Sequence, residues 1–256
     1  MLLQKLNDLG IWRQRVSVFG HVFRTSTLDR LASLFLHKFG ILGREEIGIL
    51  RRFVRNGMTV VDIGANQGLY TLLLAELARP GKIHAFEPHP MLYQQVVENL
   101  RENRIENVEC HQTALSNSTG FLTLQLGHLN LGDNYIVADG AKVSVTAQVP
   151  AATLDDLFEG TKIDFLKIDV QGWEAAVLAG GRSVLEENPK IILLFEFWPY
   201  GLRRAGVDPQ AFLSYLIELG FSIYGLSKSR LVLLQKKVLP NQSTELAYCN
   251  LVALRN

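Results

Sequence analysis

The sequence predicts an α/β fold in which helices cover both faces of a mostly parallel sheet. Three observations carry this expectation. From residue 59 onward, short apolar runs alternate with helix-length segments, which implies parallel strands joined by crossover helices. The run Ile191-Ile192-Leu193-Leu194-Phe195 is apolar without alternation, as a strand covered on both faces must be. Two further runs stop at acids where the chain must turn: Val60-Val61-Asp62-Ile63-Gly64-Ala65-Asn66-Gln67-Gly68 and Ala85-Phe86-Glu87-Pro88.

Taken in order, residues 1–55 read as a basic helical cap. Leu28, Leu31, Phe35 and Phe39 recur at helical spacing, as do Ile47, Leu50 and Val54, with Asn56-Gly57 as a stop. Residues 56–256 read as one structural unit. It has strands at 59–63, 82–86, 107–112, 163–168, 190–196 and 221–225. Helices are expected at 68–78, 90–102, 173–187 and 208–219. Residues 120–150 interrupt the alternation with short two-residue periodicities (Phe121 to Leu124, Val143 to Thr146) around a polar middle, and read as a β-insertion. Leu231 to Leu234 and Asn250 to Leu254 complete the chain, the latter expected as a final edge strand.

Composition bounds the function. A chain of 256 residues with 48% hydrophobic side chains can bury a full core, and a net charge of +1 gives no general case for nucleic acid. The charge is uneven: residues 1–58 hold ten Lys/Arg against four Asp/Glu. This suits a lid with solvated charges, with peripheral membrane contact as the other reading. No apolar run approaches the ~20 residues that span a bilayer, and no leader pattern opens the chain. Cys110 and Cys249 lie far from any metal spacing and read as buried thiols. Together these point to a cytoplasmic setting.

Chemistry is expected beyond the carboxyl ends of the strands. Gly64 and Gly68 allow close approach of the backbone to a ligand, and Glu87 at the second strand end suits a grip on two ribose hydroxyls. The ligand is thus a nucleoside. A dinucleotide fingerprint would place glycine at the third and sixth positions from Gly64, where Asn66 and Leu69 stand; a Walker lysine is also missing. Asp62 adds negative charge where a pyrophosphate would lie. S-adenosylmethionine, with adenosine, sulfonium and free amino group, meets these requirements. Thr113 and Ala114 offer a hydroxyl and an amide to an adenine edge.

Asp169 ends a further apolar run beside a glycine turn. It can hold the cofactor's amino group, position a substrate hydroxyl or act as a base, and a helix N-cap is the structural alternative. Glu174 has both a functional and a helix-dipole reading. Asp169 and Glu196 at neighbouring strand ends could chelate Mg²⁺, although no third ligand is evident, and no metal is expected. The histidines show no ligand spacing. His128, in the insertion loop, is the one candidate base among them. Trp173, Trp198 and Tyr200 could form an acceptor wall or simply pack.

The pieces Val61 to Gly68, Phe86-Glu87-Pro88, Ala114-Leu115-Ser116, Thr153-Leu154-Asp155 and Leu166 to Gly172 come in an order that resembles the FkbM-type S-adenosylmethionine-dependent methyltransferases. The match covers about residues 45–255. Gln171 departs from the family, which often has Glu there. The resemblance implies a Rossmann-like class I methyltransferase with a seven-stranded, mostly parallel sheet whose last strand is antiparallel. It also implies methyl transfer to a hydroxyl of a sugar, polyketide or other small metabolite. By that resemblance Asp62, Gly64 and Gly68 frame the methionine end, Glu87 the ribose, and Thr113-Ala114 the adenine region; Asp169 closes the site, and Asn66 is a further cofactor-binding candidate. Catalytic work falls to Asp169, with Glu196 and His128 as further candidates. Two alternatives stand beside this reading. One is an RNA or nucleoside methyltransferase, against which Asp169-Val170-Gln171-Gly172 replaces the Asn/Asp-Pro-Pro-Tyr/Phe of base methylation. The other is a non-catalytic S-adenosylmethionine-binding protein.

Overall fold

A computed structural model describes residues 13–26, 44–127, 134–138, 145–227, 230–234 and 248–255. Its centre is an eight-stranded sheet. The strands are β3 (Val60–Ile63), β4 (Ile83–Phe86), β5 (Val108–His111), β10 (Phe165–Ile168), β11 (Ile192–Phe197), β12 (Ser222–Ser227), β13 (Arg230–Leu233) and β14 (Cys249–Leu254). Their spatial order is β13-β12-β14-β11-β10-β3-β4-β5. Strands β5, β4, β3, β10 and β11 pair in parallel, and β14 runs antiparallel to both its neighbours.

Alternation of side chains across this sheet builds two cores. On one face Val61, Ile63, Phe86, Leu166, Ile168, Leu193 and Phe195 are buried against α4 (Leu154–Phe158), α5 (Glu174–Ala179), α6 (Arg182–Glu187), α7 (Pro199–Arg204) and α8 (Pro209–Glu218). On the other, Val60, Phe165, Leu194 and Val252 meet Ile49 and Leu50 of α1 (Arg44–Phe53) and Leu73 and Leu74 of α2 (Leu69–Ala78). A helix α3 (Pro90–Glu102) connects β4 to β5.

The insertion is a second sheet of four strands, β6 (Ala114–Leu115), β7 (Gly120–Gln125), β8 (Tyr135–Ile136) and β9 (Thr146–Ala152), in the order β6-β9-β7-β8. Its core is Ala114, Leu124, Ile136 and Val149. Its middle, with His128, lies outside the described residues.

Three expectations are corrected. Residues 13–26 are not helical: β1 (Arg13–Val18) and β2 (His21–Ser26) form an antiparallel hairpin. Phe19 (φ 54°) and Gly20 (φ 80°) supply the two left-handed residues of a tight hairpin turn, and β-branched Val16, Val18, Val22 and Thr25 favour strand over helix. The expected helix around Leu28 to Phe39 lies outside the described residues, whereas α1 falls where Ile47, Leu50 and Val54 place it. Second, the sheet has eight strands and not seven, because β13 is added at one side, and β14 is no edge strand. It lies between β11 and β12, and β13 forms that edge. Third, the helix expected over 173–187 is split into α5 and α6 at Gly180-Gly181. A side chain at Gly180 would stand 2.0 Å from the Ser116 carbonyl oxygen, so the chain breaks to let the helix pair meet the start of the insertion.

Cys110 and Cys249 are free thiols, and burial pushes each up to about 11. Among the described residues no helix is long and apolar enough to cross a membrane.

Candidate active site

The turn after β3 is built for close approach. Gly64 has φ +81°, and a Cβ there would lie 1.9 Å from the Asp169 carbonyl oxygen, so the turns after β3 and β10 touch through backbone alone. Asn66 is also left-handed (φ 53°), which aims its N–H at Glu87; Gly68 (φ 86°) begins α2. The Glu87 carboxylate accepts the Asn66 N–H at 2.8 Å on Oε2 and the His89 N–H at 2.9 Å on Oε1. Burial raises the Glu87 carboxyl to about 7, although both N–H donors favour its ionised form. His89 in turn caps α3 by accepting the Met91 N–H at 3.2 Å. Two backbone amides therefore orient the acid, one from the turn after β3 and one from the turn after β4.

The hairpin reaches this turn as well. Asn99 of α3 is wholly buried; it accepts the Arg24 N–H at 2.8 Å and donates to the Gln67 carbonyl at 2.9 Å. Gln95 donates to Gln67 Oε1 at 3.1 Å. Phe23 and Val16 pack with Ala65, Leu69 and Val96.

On the α1/α2 face of the sheet, register assembles a belt of charge. Asp62 pairs in register with Lys167, which pairs with Leu194, two residues before Glu196. Lys167 Nζ lies 3.4 Å from Asp62 Oδ1 and 3.6 Å from Asp169 Oδ2. Thr71 donates to Asp62 Oδ2 at 2.7 Å. Burial acts to lower the Lys167 ammonium, but Asp62, Asp169 and Glu196 outweigh it and hold the group above its ordinary value. The Tyr70 ring covers the ammonium, 5.1 Å from its centroid. Glu46 of α1 joins the belt, held by the Asn250 amide and raised by burial.

Gln171 ties the belt to the loop after β10. Its left-handed backbone (φ 55°) puts the amide Nε2 at 3.2 Å from Asp169 Oδ1 and 3.1 Å from Glu196 Oε2. An amide donor thus stands between the two carboxyls that a divalent cation would have to share. Burial, then the charges of Asp169 and Glu174, push Glu196 up to about 9, which favours its neutral acid form. Asp169 is the open member, its side chain 39% exposed. Glu174 has the structural role: its Oε1 accepts the Val170 and Gly172 N–H groups at 3.1 and 3.2 Å, fixing the loop. Burial raises Glu174 to about 7.

Trp198 and Tyr200 lie together (ring centroids 5.6 Å), and Arg204 stacks between Trp198 and Tyr135 of β8, 3.6 Å from the latter centroid. Trp173 is elsewhere: its Nε1 donates to Ser116 Oγ at 3.0 Å and the ring packs between the two sheets. Thr113 and buried Ala114 follow β5, one strand beyond Glu87. The structure therefore brings Asp62, Gly64, Asn66, Glu87, Asp169 and Glu196 to one end of the sheet. Lys167, Gln171 and Glu46 were not among the expected site residues. A lysine inside the apolar run Phe165 to Ile168 was the available signal, because such a charge is buried only beside a partner.

A family model described as the methyltransferase FkbM domain matches residues 62–223. The chain belongs to the FkbM methyltransferase family. Methyltransferase sdnD of Sordaria araneosa is 30% identical over 198 residues, covering 64% of this chain and 73% of the relative. Methyltransferase 1 of Beauveria bassiana is 26% identical over 142 residues, 47% of this chain and 57% of the relative. Among solved structures, SMU.1697c of Streptococcus mutans in complex with SAH aligns with a TM-score of 0.50 at 13% identity. It covers 82% of this chain and 96% of that one, and the likeness is one of fold. FkbM membership makes the activity methyl transfer from S-adenosylmethionine. The donor set suits it: the anchored Glu87 carboxylate can accept ribose hydroxyls.

Proposed function

We propose that this FkbM methyltransferase methylates a hydroxyl oxygen of a sugar, polyketide or other small metabolite. The observation that supports it is Asp169. It is the solvent-open carboxylate at the head of an otherwise buried belt, clipped by Gln171 and flanked by Lys167. S-adenosylmethionine supplies an electrophilic methyl on a sulfonium. What the chain adds is placement, exclusion of water and a destination for one proton.

In this reading Glu87 accepts the ribose hydroxyls, while Gly64, Asn66 and Gly68 shape the turn over the methionine end and Thr113-Ala114 flank the adenine. Asp62 acts through Lys167, whose ammonium holds Asp169 in place. Asp169 accepts the proton from the acceptor hydroxyl as that oxygen is alkylated. Glu196, held neutral, carries no proton away and instead steadies Gln171. Trp198, Tyr200 and Tyr135 form one wall of the acceptor side. His128, the other candidate base, lies outside the described residues.

The test is a methyl-transfer assay with labelled S-adenosylmethionine over a panel of sugar and polyketide alcohols, run on wild type and Asp169→Asn. Turnover of the variant should fall ~100-fold or more, with a much smaller change in donor affinity. Wild-type turnover in Asp169→Asn would remove the base assignment.

A further inference from the structure

Away from the belt, on the opposite face of the sheet, three side chains converge that no spacing in the sequence announced. His84 of β4 and Glu109 of β5 are partners in register, and His111 follows Glu109 by two residues on the same face. His84 Nδ1 lies 3.4 Å from His111 Nε2. Glu109 Oε2 is 3.8 Å from the first nitrogen, and Oε1 is 3.7 Å from the second.

These separations have a chemical meaning. Two nitrogens bound to zinc at about 2.05 Å with a tetrahedral angle stand ~3.3 Å apart, and a nitrogen and a carboxylate oxygen stand nearly the same distance apart. The two histidines already hold that spacing. Each Glu109 oxygen stands near one of the two nitrogens, so a turn of this half-exposed side chain brings one oxygen onto the face that both nitrogens share. The rings are fixed by packing. His84 meets Phe158 edge-on at 4.9 Å, and His111 stacks on Phe86 at 4.4 Å. Side-chain exposure rises from 12% at His84 through 25% at His111 to 50% at Glu109, so the outer side is open to a water. Lys82 binds Glu109 Oε2 at 2.7 Å, leaving Oε1 to face an ion.

We propose that His84, Glu109 and His111 bind one zinc ion, with water as the fourth ligand. The ion clamps β4 to the edge strand β5. These strands lead to Glu87 and to Thr113, so the clamp fixes the spacing between two parts of the donor site without touching it. It is independent of the acceptor and of the base assignment.

The experiment uses the full chain without a polyhistidine tag, stripped with chelator and titrated with Zn²⁺ in a calorimeter. One equivalent should bind, with a rise in melting temperature. Glu109→Gln changes a half-exposed side chain and keeps the fold; it should weaken binding at least tenfold, as should His111→Asn. Co²⁺ should give the visible absorption of a tetrahedral site in wild type and lose it in His111→Asn. Absence of stoichiometric binding by wild type, or equal affinity in both variants, would overturn the proposal.

Discussion

Glu87 shows what one carboxylate can do when backbone holds it. The Asn66 and His89 amides consume one lone pair on each oxygen, which leaves the outer lone pairs for hydroxyls. Replacing the acid by an amide keeps the shape but loses charge and one acceptor. Glu87→Gln should therefore fold normally and weaken S-adenosylmethionine binding by about 1.5–3 kcal/mol; unchanged affinity by calorimetry would separate this residue from the ribose. Its position at the turn was legible in the sequence because an acid at a strand end beside proline is a local signal. The partnership of Asp62 with Lys167 was not. Those residues are far apart in the chain, and only the β3–β10 register makes them neighbours. Gln171 was equally hidden: its bridge to Glu196 depends on a left-handed backbone that no local pattern announces.

Elements tell the same story at larger spacing. Strand and helix positions from 59 to 102 follow the sequence pattern closely, because each rests on a local run of apolar side chains and a clear stop. The hairpin was legible too, in Phe19-Gly20 between β-branched segments, but the helical spacing farther along was extended over it. The place of β14 inside the sheet was not readable, since strand order is decided by packing across the whole chain. The hairpin is joined to the donor turn through one residue. Asn99 links the Arg24 backbone to the Gln67 carbonyl while fully buried, so its loss strands polar groups at both ends. Asn99→Ala should cost ~2 kcal/mol of stability, speed amide exchange in residues 22–25 and weaken donor binding. Unchanged exchange and affinity would show the hairpin to be decoration on α3.

At the scale of the whole molecule, the sheet keeps several protons that an unfolded chain would release. Glu87 and Glu174 are raised to about 7 and Glu196 to about 9, all chiefly by burial, against an ordinary value of 4.5. For an acid raised on folding, the folded state holds a proton that the unfolded state has lost, so stability falls as pH rises from the unfolded value to the folded one. The lowered histidines act in the other direction, and only below their ordinary 6.5. Between pH 7 and 8.5 the dominant contribution is therefore Glu196. The donor-free protein should lose up to ~1.4 kcal/mol per pH unit there, or about 3 °C in melting temperature. Glu196→Gln supplies the neutral form permanently and should flatten that slope while raising the melting temperature at pH 8.5. Calorimetric melting of both proteins across this window is the measurement. An undiminished slope in the variant would place the proton on another member of the belt and leave Glu196 ionised beside Asp169.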